Sequence, residues 1–249
     1  MILTPNQADL NLFAKLSGDA NPIHVDPAFA ATSGFGRTVA HGAMLTAWLV
    51  RAAGITDAPR STSAMFPAPA FAGEALEVDF DGEAWQLSRR QDGVVVCRLM
   101  INAHVPSVEA SLMKHEANLP LKVGMVRFSE THLSKEAFEA LKDLQARAGE
   151  SPLGADVADL LAGQAFMLGQ ISTLLGMELP GQGTNYLKQE TCWLGSVKPG
   201  EKLRAEVAIT RLRPEKALVD LQTQVRNLRG DVLAQGRALV SARDVNGAF

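Results

Sequence analysis

Residues 13–30 read FAKLSGDANPIHVDPAFA and residues 34–45 read GFGRTVAHGAML. At the centre of the first stretch, Gly18-Asp19-Ala20-Asn21-Pro22-Ile23-His24 is turn chemistry. Pro22 fixes its own φ and drives Asn21 out of the α region, while Gly18 ends the helix before it. Asp19 to His24 is therefore read as a shaped loop. It carries a carboxylate and an imidazole five positions apart around a proline-stiffened bend, so both can converge on one small molecule. Near pH 7 the carboxylate is ionised and the imidazole can take or give a proton, which suits acid/base work. Asp and Asn are also common turn formers, and a lone histidine is usually an ordinary surface or core residue. The pattern by itself leaves both readings open.

Upstream, Thr4 followed by Pro5, with Gln7 three positions after Thr4, reads as a capping box that opens a helix with Leu10, Phe13 and Ala14 on its apolar face. Downstream, His41 to Gly54 returns to helical period through Leu45, Trp48, Leu49 and Ala52, and it is apolar on most sides, as a helix enclosed by a sheet is. Strand-like runs follow at 61–71, 75–81, 84–90 and 94–104, punctuated by Gly73, Gly82 and Gly93, which predicts a helix followed by an antiparallel meander. Residues 106–121 show neither period and read as a surface connector.

Beyond that connector the order recurs. A helix is expected over 134–148, a long apolar helix around 158–176, and strands at 184–194, 202–211, 217–226 and 232–242. Met44-Leu45 answers Met167-Leu168, and Gly73-Glu74-Ala75-Leu76 answers Gly200-Glu201-Lys202-Leu203. The expectation is an α+β fold of two similar halves, 1–120 and 121–249. Each wraps an antiparallel sheet around one central apolar helix.

A chain of 249 residues with 47% hydrophobic and 20% charged content is long enough to bury a sizeable core. Its net charge is −3, with Lys and Arg scattered, so no nucleic-acid partner is expected. Cys97 in an apolar run and Cys192 beside Trp193 read as buried small side chains that fit a reducing compartment. The opening MILTPNQADL lacks a basic segment followed by an apolar stretch, so a cytoplasmic location is expected. Leu160 to Met177 is uncharged, but Gln164, Gln170, Ser172 and Thr173 interrupt it, which favours a buried helix over a membrane span. His104, His115 and His132 have no partners at metal-ligand spacing, and HExxH and CxxC do not occur, so no metal is expected. Gly34-Phe35-Gly36 and Gly181-Gln182-Gly183 lack the third glycine of a dinucleotide fingerprint and read as turns.

The two opening stretches resemble the signature of the (R)-specific enoyl-CoA hydratases, also called hydratase 2 or MaoC-like dehydratases. Every fixed position of the GDxNPxH core is present between Gly18 and His24. Leu174-Leu175-Gly176-Met177-Glu178-Leu179-Pro180-Gly181, with Gly183-Thr184 after it, looks like a later part of the same family's repeat. The resemblance implies a hot-dog fold, double in a chain of this length. It further implies that Asp19 and His24 are the catalytic pair, that Asn21 orients the loop or the substrate, and that the Gly42 backbone N–H at the start of the core helix is the oxyanion donor. A helix N-terminus presents unpaired N–H groups and partial positive charge, which suits that role, although Gly42 also fits a plain packing reading.

The implied reaction is a reversible syn addition of water across the C2=C3 bond of an acyl thioester. The resemblance thus implies an (R)-specific 2-enoyl-CoA hydratase or 3-hydroxyacyl thioester dehydratase, a hydro-lyase of fatty acid metabolism. The substrate partner is an acyl-CoA or acyl-carrier-protein thioester, and coenzyme A enters as part of it, so no separate cofactor is expected. In the second half no GDxNPxH loop occurs, and the helix reads Gly163-Gln164-Ala165-Phe166-Met167 without a His-Gly pair. That half is read as a non-catalytic partner that helps form the acyl and pantetheine tunnel. Arg37, His41 and Tyr186 are candidates for CoA or acyl contacts, set against the plainer readings of a solvated Arg and a Tyr filling a strand face. A homodimer is expected from the pairing of hot-dog sheet edges. The alternatives on this fold are an acyl-CoA thioesterase and a non-catalytic acyl-thioester-binding subunit.

Overall fold

Helix α1 (Gln7–Ser17) begins at Asn6, whose side chain accepts from the Asp9 N–H while the Asp9 carboxylate accepts from the Asn6 N–H, both at 3.0 Å. This box replaces the one expected on Thr4 and Gln7. Asn is the stronger N-cap residue, and Gln7 is engaged elsewhere: its Nε2 donates to the His24 carbonyl at 2.8 Å, and its Oε1 accepts from Thr38 Oγ1 at 2.7 Å. Leu10 and Phe13 are fully buried, each contributing about 1.5–3 kcal/mol of hydrophobic burial. Gly18 closes the helix in the left-handed region at φ +84°, its N–H donating to the Ala14 carbonyl.

The computed structural model describes residues 1–105, 120–149 and 153–249. After Gly18, Asp19 and Ala20 remain loop, but Pro22–Val25 winds into a short helix, α2, where sequence reading expected loop as far as His24. Asn21 has the extended ψ of 127° that a following proline favours, and it caps the turn by accepting from the Ile23 N–H at 3.3 Å. Pro22 sits where a helix needs no N–H donor. Helix α3 (Pro27–Thr32), capped by Asp26, follows directly and was not foreseen.

The core helix α4 spans Gly42–Ala52, and Ala43 to Arg51 are all buried. It lies against strands β4 (Trp85–Arg89) and β5 (Val95–Ile101). Strands β1 (Ile2–Leu3), β2 (Ser61–Met65) and β3 (Leu76–Phe80) complete the first half. In the second half come β6 (Val126–His132), helices α5 (Lys135–Ala146) and α6 (Ala155–Met177), then β7 (Asn185–Trp193), β8 (Lys202–Arg213), β9 (Leu218–Asn227) and β10 (Val232–Ser241). Helix α6 packs on β6 to β9 and against α4. By length and composition it could cross a membrane, yet 78% of its most apolar window is buried inside the protein.

Among the described residues, ten strands form one antiparallel sheet in the order β1-β3-β4-β5-β2-β7-β10-β9-β8-β6. Among the described residues, five strands and one apolar core helix lie on either side of residue 120, where four strands per half were expected, and the two sets of strands are continuous through the β2–β7 pairing. The predicted meander holds for β3 to β5, whereas β2 crosses to the far side of β5. Its first four residues are buried and need hydrogen-bonded neighbours on both edges, which β5 and β7 supply. Strand β6 escaped the sequence reading because it is an edge strand whose polar residues are only partly covered. Two further bonds tie the halves together: Trp48 Nε1 donates to the Leu144 carbonyl and Gln164 Nε2 to the Pro59 carbonyl, each at 3.1 Å. The expected connector 106–121 and His115 lie outside the described residues, apart from Pro120 and Leu121.

Candidate active site

The loop after α1 is held from the other half of the chain. The Ser17 carbonyl accepts from Gln170 Nε2 at 2.8 Å and from Thr173 Oγ1 at 3.0 Å, both on α6. Helices α1 and α6 come so close here that a Cβ on Gly169 would meet the Ser17 Cβ at 2.5 Å. One turn further along α6, Ser172 Oγ donates to Asp19 Oδ2 at 2.6 Å, and the Gly176 carbonyl accepts from Asn21 Nδ2 at 3.4 Å. Asp19 and Asn21 are both buried. The other carboxylate oxygen, Asp19 Oδ1, is buried without a hydrogen-bond partner among the described residues. A buried carboxylate oxygen left unpaired costs free energy comparable to a lost hydrogen bond, and native structures leave such groups mainly where a ligand or water completes them.

His24 stands on α2 with Nδ1 placed 2.7 Å from the Val39 carbonyl. A carbonyl only accepts, so the neutral ring carries its proton on Nδ1 and keeps a lone pair on Nε2. Loss of hydration pulls the His24 pKa below the ordinary imidazole value, against opposing pulls from the Asp19 carboxylate and the Val39 carbonyl. The ring is therefore neutral, and able to act as a base, at physiological pH. Beneath it lies the wholly buried His41, its ring stacked on that of His24 with centroids 3.8 Å apart.

Asp19, Asn21 and His24 line a cavity of about 130 Å³ together with Gly42 at the first turn of α4. Its walls are mostly apolar, among them Ile23, Leu45, Phe66, Val96 and Leu187. The helix start has no side-chain cap, and a Cβ on Gly42 would lie 3.0 Å from the Phe66 ring, so glycine here serves close packing as well as backbone access. Tyr186 lines the same cavity, tilted against Phe66, and its hydroxyl donates to Gln189 Oε1. Burial and then the Asp19 charge raise the Tyr186 pKa well above its ordinary value, so it stays a phenol.

Two candidates fall elsewhere. Arg37 is ion-paired with Glu74 at 2.8 Å and lies over the Phe71 ring, beside a separate open hollow. His41 is not among the groups lining the cavity and lies behind His24. Sequence reading missed Ser172, Gly176 and Thr184, all of which line the cavity from the motif-lacking half. Thr184 Oγ1 is a second buried oxygen without a partner. Only Leu174 to Gly181 and Gly183-Thr184, read as part of the family's repeat, hinted at that contribution.

Donor atoms of Asp19, His24 and His41 lie within 4.8 Å of one another. His41 Nε2 donates to the Asp19 carbonyl at 3.0 Å, so that nitrogen has no lone pair for an ion.

The architecture is that of a double hot-dog protein. It superposes on a solved MaoC-like dehydratase with a TM-score of 0.67 at 14% identity, covering 96% of this chain and 94% of that one. It also superposes on a Mycobacterium tuberculosis protein described as having a double hotdog fold, with a TM-score of 0.67 at 12% identity, covering 97% and 93%. Residues 2–100 match the family model described as MaoC like domain. Over 69 residues the chain is 38% identical to an (R)-specific enoyl-CoA hydratase of Aeromonas caviae, covering 28% of this chain and 52% of that protein. Over 49 residues it is 51% identical to 3-hydroxyacyl-thioester dehydratase Z of Mycobacterium tuberculosis, covering 20% and 32%. The chain thus spans about half the length, or less, of these curated relatives.

Proposed function

We propose that this chain is an (R)-specific 2-enoyl-CoA hydratase working reversibly as a 3-hydroxyacyl thioester dehydratase, with Asp19 and His24 as its acid/base pair. The observation that carries the reading is the pairing of two unsatisfied acceptors on one cavity: Asp19 Oδ1, buried without a partner, and His24, whose Nε2 is free because Nδ1 is tied to Val39. A water molecule bound between them meets two bases.

In the hydration direction, one of the pair takes a proton from that water as its oxygen bonds to C3, and the pair returns a proton to C2 as the enolate collapses. Water is split between C3 and C2, with no net change in the enzyme. The resemblance to the (R)-specific hydratases implies that both additions occur on one face of the double bond, a syn addition. Charge building on the thioester oxygen is met by the Gly42 N–H at the uncapped start of α4, where the helix dipole is positive. A positioned acid/base group supplies about 10²–10⁴ in rate and one oxyanion donor about 10²–10³. The apolar walls suit an acyl chain, and the names of the curated relatives support the thioester class.

The test is an assay with crotonyl-CoA that follows loss of the enoyl absorbance and release of free thiol in parallel. Enoyl loss without thiol supports hydration, and thiol release without prior hydration supports a thioesterase. Binding without either change supports the non-catalytic alternative.

A further inference from the structure

We infer that His41, outside the cavity, is a positioning residue that fixes Asp19, His24 and the amino end of α4 relative to one another. This inference rests on Asp19 and His24 being the reacting pair.

The residue meets all three elements, two through its side chain and one through its backbone. Its Nε2–H donates to the Asp19 carbonyl at 3.0 Å, its ring stacks on His24 with centroids 3.8 Å apart at an interplanar angle of 29°, and its backbone is the N-cap of α4, immediately before Gly42. Phe13 closes the other side with ring centroids 5.1 Å apart. The His41 carbonyl also accepts from the Leu45 N–H at 3.0 Å, which locks the residue into the first turn of the helix.

Packing alone does not explain a histidine here. His41 is completely buried, and its Nδ1 has no hydrogen-bond partner among the described residues. An unsatisfied buried nitrogen destabilises the fold, whereas an apolar ring would fill the space between Phe13 and His24 without that penalty. The ring is kept at that cost because its other nitrogen holds the Asp19 backbone, from which the carboxylate is aimed. Its charge state reinforces the role. Burial, and next to it the neighbouring His24, hold the His41 pKa down to about 3, so no second positive charge arises against His24 when His24 takes up a proton. A displacement of about 1 Å in a reacting group lowers rate by about a hundredfold, so a group that sets three positions at once carries a large share of the alignment.

The experiment compares purified His41→Phe, His41→Gln and His24→Gln with the wild-type chain in crotonyl-CoA hydration, thermal melting, and NMR titration of the His24 ring. His41→Phe keeps a ring but removes the N–H and the unpaired nitrogen. It is expected to melt no lower than wild type while kcat falls at least about tenfold and KM stays within about threefold. His41→Gln restores an N–H donor of similar reach and recovers part of that loss. With no ring covering it, His24 regains hydration, and its titration moves upward in His41→Gln.

If His41→Phe is too bulky to fold, His41→Gln decides. Wild-type kcat together with an unmoved His24 titration in that variant overturns the inference, provided His24→Gln is inactive. If His24→Gln itself turns over normally, the assignment of the reacting pair fails instead.

Discussion

Ser172 Oγ donates a 2.6 Å hydrogen bond to Asp19 Oδ2 from helix α6, so the carboxylate of the half that carries the motif is oriented by a hydroxyl of the half that lacks it. With Oδ1 already unpaired, this bond largely determines which way the buried carboxylate faces.

Ser172→Ala therefore removes that orienting donor from a buried charge. Stability should fall by about 1–3 kcal/mol, and turnover should fall by about tenfold as the carboxylate rotates, whereas Ser172→Thr, which keeps the hydroxyl, should retain most of both. Denaturant unfolding and crotonyl-CoA kinetics on the two variants check this. Equal behaviour of Ala and Thr would remove Ser172 from the orientation of Asp19.

Replacing either reacting group has a sharper effect. Asp19→Asn and His24→Gln should each lower kcat by at least about 10² while circular dichroism and melting show an intact fold. Near-normal turnover in a folded variant would take that residue out of the chemistry.

At Gly42 the prediction separates backbone from side chain. In Gly42→Ala the new Cβ lies 3.0 Å from the ring of Phe66, a wall of the cavity, which must give by a few tenths of an ångström, while the N–H itself is unchanged. KM for crotonyl-CoA should rise more than kcat falls, and the additional variant Phe66→Leu should relieve much of the rise. A loss confined to kcat would point to damage at the helix end instead.

Acid stability follows from the two stacked histidines. Both have folded-state pKa values below the ordinary 6.5, His24 through loss of hydration and His41 through the same cause plus its neighbour, to about 3. The unfolded chain therefore binds protons first as pH falls. Their contribution is complete above about pH 6.5 and is lost below it, for His41 down toward about 3, at up to about 1.4 kcal/mol per pH unit for each histidine. Urea midpoints at about pH 7.5 and about pH 5 should show the drop, and His41→Gln should reduce it. The same midpoint at both pH values in the wild type would contradict these shifts.

How much of this was legible in the sequence varied with the range of the interaction. Gly18, Pro22 and Asn21 announced the bend because each acts through its own φ and ψ. The apolar faces of α4 and α6 announced core helices because their period is local. The continuous sheet was not legible, since β2 has to choose between β3, β5 and β7, and the choice is made by pairing across some forty residues on one side and over a hundred on the other. Strand β6 hid because an edge strand with exposed Phe128 and Glu130 shows no clean apolar alternation. At the site, Asp19 and His24 stood out through their motif, while Ser172 and Thr184 looked like ordinary polar interruptions of an apolar helix and a strand start. Ser172 meets Asp19 and Thr184 meets the cavity only across the two halves of the chain, and spacing along the sequence carries no signal for an approach of that kind. His41 was visible as a residue, but its burial behind His24 depends on the packing of Phe13, which only the assembled fold supplies.

The most direct test is the hydration of crotonyl-CoA by the wild-type chain and by Asp19→Asn in parallel, with the enoyl absorbance and the 3-hydroxyacyl product both quantified. Stoichiometric conversion of enoyl thioester to the (R)-3-hydroxy product by wild type, reduced at least about a hundredfold in Asp19→Asn, is the predicted result. Failure of the wild type to form that product from short and longer enoyl-CoA substrates, or equal rates in the two proteins, would contradict it.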